Sequence, residues 1–160
     1  MRGFICQIGI LAIIVSVIFS CDSSRVYDEY RQVARSQWHK DSLFIFEVPV
    51  KDTVILYNLF LNIRNEVNYP YSNLWLFIEI CQPDGIAVKD TFELILADPS
   101  GKWLGKGLSG IRSRQVVYRR NVYFPAAGNY FIKVSHGMRP EILMGIHDIG
   151  VRIEKVNPGQ

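Results

Sequence analysis

Gly105-Lys106-Gly107-Leu108-Ser109-Gly110 has the G-x-G-x-x-G spacing that lets a backbone approach a pyrophosphate. That chemistry needs a strand before the glycines and a helix after them, so that the phosphates meet a helix N-terminus. Here the loop Pro99-Ser100-Gly101 precedes them and an arginine-rich, strand-like segment follows. No acidic residue stands near the expected distance downstream, so the nucleotide reading is set aside. The stretch from Gly101 to Gly107 also fails as a phosphate loop. It is one residue short, and Gly107 stands where magnesium needs a hydroxyl. His39, His136 and His147 are dispersed and lack metal-ligand spacing. His147-Asp148 and Ser135-His136 are chain neighbours, which on a strand point to opposite faces. No serine sits in a nucleophile elbow. A hydrolase with carboxylates assembled across strands would show itself as a cleft with close acidic pairs. The expectation is a chain with no enzyme activity, no metal and no cofactor.

Cys21 is the residue with the most specific setting. Met1 and Arg2 lead into an uncharged, almost wholly apolar run from Phe4 to Phe19, followed by Ser20 and Cys21. A basic start, a short apolar stretch and a small residue before a break are the parts of a secretory signal. The run is shorter than the roughly 20 residues of a membrane span. Ile18-Phe19-Ser20-Cys21 resembles the lipobox of bacterial lipoproteins, in which the thiol is diacylated with fatty acids such as palmitate. The peptide is then cut before the cysteine and the new N-terminus is acylated too. Several acyl chains give stable anchoring where one does not. The competing reading is an ordinary secretory signal that ends by chance in a cysteine. Residues 1–20 are read as signal peptide and Cys21 as the lipidation site.

Removing 20 residues from 160 leaves 140, enough for one domain with its own core. Without Arg2, 17 basic side chains face 15 acidic ones, which argues against nucleic acid as a partner. Cys6 leaves with the signal and Cys21 carries lipid, so Cys81 has no disulfide partner. Its place at the end of an apolar strand suggests a small buried hydrophobe.

Residues 21–40 are polar with scattered aromatics and read as a tether, docked in part through Tyr27, Tyr30 and Trp38. From Asp41 the period becomes two. Tyr57, Leu59, Leu61 and Ile63 share one face, with Asn58, Asn62 and Arg64 on the other. Leu74 to Cys81 is apolar on both faces, which suits a central strand covered twice and puts Trp75 in the core. Gln82-Pro83-Asp84-Gly85 is a turn. Thr91 to Leu96 is a strand, residues 97–110 a long loop, and Val116 to Phe124 a strand. Tyr130, Ile132 and Val134 line the next strand, and Ile149, Val151 and Ile153 the last. The expectation is an all-β domain over 41–157: an antiparallel β-sandwich of seven to eight strands, jelly-roll or immunoglobulin-like. A closed barrel is the alternative. Arg112, Arg114, Arg119 and Arg120 read first as an exposed strand face and edge guard, and second as a site for lipid phosphates or an acidic partner.

Several stretches together resemble one family. They are Tyr27-Asp28-Glu29-Tyr30, Asn62-Ile63-Arg64-Asn65, Tyr69-Pro70-Tyr71-Ser72-Asn73-Leu74, Asp98-Pro99-Ser100-Gly101-Lys102-Trp103-Leu104-Gly105-Lys106-Gly107 and Gly150-Val151-Arg152-Ile153-Glu154-Lys155. In this order they look like the gliding motility lipoprotein GldH family of Bacteroidota. The resemblance implies an envelope lipoprotein needed for gliding in motile members and linked to the type IX secretion apparatus. It brings no enzyme activity and no catalytic residues. No lysine-and-acid-rich export signal follows Cys21, so the periplasmic face of the outer membrane is the expected location. The expected role is a non-enzymatic interaction module held by lipid, with gliding or type IX secretion proteins as partners. Its contact surface is placed on Trp103, Lys106 and Asp98 of the glycine-rich loop and on Tyr69 and Tyr71 of the preceding turn. A partner would give that loop a reason to be ordered. The runner-up is a glycan-binding sandwich using the same aromatics as a platform.

Overall fold

The computed structural model describes residues 24–156. The expected signal peptide and Cys21 lie outside the described residues. Eight long strands and one short ribbon make up the fold. They are β1 (Arg25–Gln32), β2 (Gln37–His39), β3 (Phe44–Val50), β4 (Tyr57–Glu66), β5 (Asn73–Cys81), β6 (Ala87–Ile95), β7 (Ile111–Val122), β8 (Gly128–His136), β9 (Ile142–Met144) and β10 (Ile146–Lys155). One sheet has the order β1-β10-β4-β7 and the other β3-β8-β5-β6, while β2 and β9 pair alone. Every pairing is antiparallel. The long strands cross between the sheets at every step except the β5–β6 hairpin. That winding is a jelly roll, which decides between the sandwich types and excludes the closed barrel.

Alternation of apolar residues drives each layer. Leu59, Leu61, Ile63, Ile149, Val151 and Ile153 from one sheet face Phe46, Val48, Leu74, Leu76, Ile78 and Ile132 from the other, all buried. Tyr57, Phe124 and Tyr130 close one end edge-to-face, with centroids 5.2 and 4.7 Å apart.

Four expectations need correction. The segment read as a tether is folded from Arg25 onward: β1 pairs along β10, and Tyr27 and Trp38 are buried. Its apolar stripe is too thin to read, because backbone pairing carries an edge strand whose outer side meets water. Trp75 is not core. β5 is central in its sheet, but only one face is covered, leaving Trp75 38% and Phe77 49% exposed on the other. Cys81 is half-buried on that same outer face, its thiol donating to Glu79 Oε1 at 3.2 Å. His147 and Asp148 do not diverge: a bulge between Ile146 and Asp148 brings His147 Nδ1 to 2.8 Å from Asp148 Oδ2. β7 is an edge strand, but of its arginines only Arg119 and Arg120 are exposed: Arg112 and Arg114 are half-buried, Lys106 pairs with Ser113 near its start, and Arg119 crosses to Asp90 on β6 of the opposite sheet.

His136, the last residue of β8, is buried against Trp38 of β2. Its Nε2 lies 3.1 Å from the Trp38 carbonyl, which can only accept, so Nε2 carries the proton. Nδ1 is buried without a partner. Burial holds this imidazole below its ordinary value of 6.5. The unfolded chain therefore takes up a proton that the fold resists. Stability should fall as pH drops below about 6.5, by at most about 1.4 kcal/mol per pH unit for one such group. Urea midpoints measured between about pH 7.5 and 5.5 check this. A His136→Gln chain should lose that slope.

Candidate functional site

The turn after β4 and the loop before β7 meet at one end of the sandwich. The Ser72 carbonyl accepts from the backbone N–H groups of Leu96 and Ala97 at 2.7 and 3.0 Å, tying the turn to the start of the loop. Tyr69 is buried and its hydroxyl donates to the Asn73 carbonyl at 2.9 Å. The Tyr71 ring stands edge-on to it at 5.6 Å and the Trp103 ring lies tilted at 6.4 Å. Tyr71 and Trp103 are both half-buried.

The loop orders itself. Asp98 accepts from the Ser100 N–H at 2.9 Å, the Ser100 hydroxyl at 2.6 Å and the Lys102 N–H at 3.0 Å. The Ser100 hydroxyl leads the hydrogen bonds that hold this carboxyl below its ordinary value. Lys106 exchanges backbone hydrogen bonds with Ser113 at 2.9 and 2.7 Å. Gly107 has φ +153°, and a Cβ there would lie 2.4 Å from the Ile111 carbonyl oxygen. The glycines therefore serve close backbone approach to β7, and no partner is needed to order the loop. A strand follows them, not the helix that a dinucleotide site requires.

Of the expected surface residues, Tyr69, Tyr71 and Trp103 come together. Asp98 is spent on the turn, and of the five only Lys106 is exposed. Sequence reasoning missed what lies beside them. A groove of about 420 Å³ runs from Tyr71 and Asn73 past Trp75 to Gly137, Met138 and Arg139. The Gly137 N–H donates to the Trp75 carbonyl at 2.7 Å, and the Trp75 N–H points at Met138 Sδ at 3.3 Å. Trp75 was concealed because its apolar neighbours made both faces of β5 look covered. Among the described residues, no three His, Cys, Asp or Glu side chains gather as a metal would require.

The family model for the GldH lipoprotein matches residues 25–153, from the first strand into the last. The chain belongs to the GldH lipoprotein family. Gliding motility lipoprotein GldH of Flavobacterium johnsoniae is 40% identical over 154 residues, covering 92% of this chain and 95% of that one. The GldH homolog of Christiangramia forsetii is 43% identical over 143 residues, covering 85% and 87%. Among solved structures, infectious bursal disease virus Gx strain aligns over 88% of this chain and 35% of its own, with 15% identity and a TM-score of 0.41. Membership makes this GldH-family chain a lipoprotein of the envelope and fits the jelly roll to the stretch that the family shares.

Proposed function

We propose that this GldH-family protein is a gliding-motility component of the cell envelope, anchored by acylated Cys21, that acts by contact with other gliding or type IX secretion proteins. It sits on the periplasmic face of the outer membrane and catalyses no reaction. One observation carries the contact role. Tyr71, Trp75 and Arg139 line one groove at the end of the sandwich opposite the N-terminus of β1, and Trp103 joins them through the ring of Tyr69. Aromatic and arginine side chains beside a groove are the residue types that dominate interface energies. Their distance from the anchor leaves them free to meet a partner across the periplasm.

Cys21→Ala should move the protein from the membrane pellet to the soluble fraction. A variant that stays tightly bound refutes the lipid anchor. Crosslinking and affinity capture from intact envelopes should recover gliding or type IX secretion components, and Trp103→Ala with Lys106→Ala should weaken that recovery while the fold persists. If the variant retains every interaction, contact does not run through the loop.

The groove itself supports the second reading, a glycan-binding module, since Tyr71 and Trp75 line it together with Asn73 and Arg139. Saturable fluorescence quenching by peptidoglycan or capsule sugars, lost in Trp75→Ala, would favour it.

A further inference from the structure

The start of β1 lies close to the lipid-bearing residue. The Ser24 carbonyl accepts from the Lys155 N–H at 2.8 Å, so only Asp22 and Ser23 separate Cys21 from pinned backbone. Three fully extended Cα steps reach about 11 Å. Lipid on Cys21 therefore keeps this end of the sandwich within about that distance of the bilayer surface.

Three connections share that end. Tyr57 pairs with both Lys155 and Val122, which places residues 51–56 and 123–127 there, and Val50 pairs with Gly128 between them. The turn over 82–86 joins them, since a Cβ on Gly128 would lie 2.9 Å from the Pro83 ring. Each connection carries an exposed apolar residue: Val54 at 82%, Ile86 at 57% and Tyr123 at 61%. Val54 and Ile86 are held at their own backbone and the 123–127 connection at Ala126. Asp52 Oδ1 accepts from the Val54 N–H at 2.9 Å and Asp84 Oδ1 from the Ile86 N–H at 3.0 Å. The Tyr130 hydroxyl accepts from the Ala126 N–H and donates to the Ala126 carbonyl, at 3.1 and 3.0 Å. Arg25, Lys51 and Lys155 are exposed around the same end. Beside Tyr123, an apolar groove of about 260 Å³ lined by Leu59, Ile80, Val88 and Phe124 continues the surface inward.

We propose that this end is a membrane-contacting face, with Val54, Ile86 and Tyr123 set into the headgroup–acyl boundary of the bilayer that holds the lipid on Cys21. The inference rests on acylation of Cys21. Rigid apolar tips lose little conformational freedom on insertion, and basic side chains at their rim meet anionic headgroups. The lipid then does more than retain the protein: it works with the three tips to fix the orientation of the domain, and the aromatic groove points away from the membrane.

The test uses the full-length acylated protein in vesicles of phosphatidylethanolamine and phosphatidylglycerol. In a Cys81→Ala background, Val54→Cys, Ile86→Cys, Tyr123→Cys and, at the far end, Lys106→Cys each carry an environment-sensitive fluorophore. Labels at the three tips should shift to the blue and be quenched several-fold more strongly by spin-labelled lipids than the label at position 106. If all four labels behave alike while the N-terminal peptide shows its acyl mass, the domain hangs free and this proposal falls, with the lipoprotein reading intact. If that peptide carries no lipid and the protein does not float with the vesicles, both fall together.

Discussion

A Trp38→Ala chain should lose about 3–5 kcal/mol of stability, the usual cost of emptying a buried aromatic site. Trp38 is fully buried, edge-on to Phe44 at 5.2 Å and to His136 at 5.5 Å. Its indole N–H donates to the Ser42 carbonyl at 3.1 Å. Truncation removes the rings' shared contact and leaves that carbonyl to find water. Stabilities of whole domains are only about 5–15 kcal/mol, so the urea midpoint of residues 24–156 should drop steeply. Trp38→Phe should recover most of the loss, because it restores packing and forfeits one hydrogen bond of about 1 kcal/mol. An unchanged midpoint in Trp38→Ala would mean that residues 24–40 are not part of the cooperative unit.

Gly150→Ala should cost about 1–3 kcal/mol, the range for forcing extra volume into a packed site. Gly150 sits on β10 between β1 and β4. A Cβ there would lie 2.8 Å from the Glu29 carbonyl oxygen and 2.9 Å from the Tyr30 ring. Tyr30 covers the glycine and carries the Arg64 guanidinium 4.5 Å above its own ring. The methyl must displace both the ring and the β1 backbone. Tyr30→Ala in the same chain should relieve the ring clash and leave the backbone one, so the double variant should be less damaged than the two single costs added together. Additive costs would show that ring and glycine do not interact.

Strands with a strong apolar stripe were legible. β4 alternates Tyr57, Leu59, Leu61 and Ile63 with Asn58, Phe60, Asn62 and Arg64, and burial follows that alternation except at Asn62, which is buried on the opposite face. Asn62 is polar and still covered because it lies in a hydrogen-bonded layer with Asp28 and Gln115, across strands that no local pattern could pair. β1 was missed for a related reason: its partner β10 lies at the other end of the chain, and Tyr27 is its only buried residue. At the candidate site, Tyr69, Tyr71 and Trp103 were readable as aromatics beside turns. Met138 and Arg139 were not, since they reach the groove from the β8–β9 connection. The jelly-roll order itself is a property of long-range pairing, and the sequence period says only that strands exist.

The pairing of β1 with β10 also bears on the order of events in the export that the proposed lipid anchor entails. Arg25 lies opposite Glu154, so β1, the first strand of the fold, must wait for β10 before it finds its neighbour. Until then β4 also lacks the strand that separates it from β1. Closure across so long a stretch of chain is slow compared with local hairpins such as β5–β6. The chain is thus kept from completing this sheet until β10 has followed β1, which suits the export that the proposed lipid anchor entails. On that proposed route the same delay leaves edges of β1 and β4 open, and these are the surfaces that a chaperone would cover.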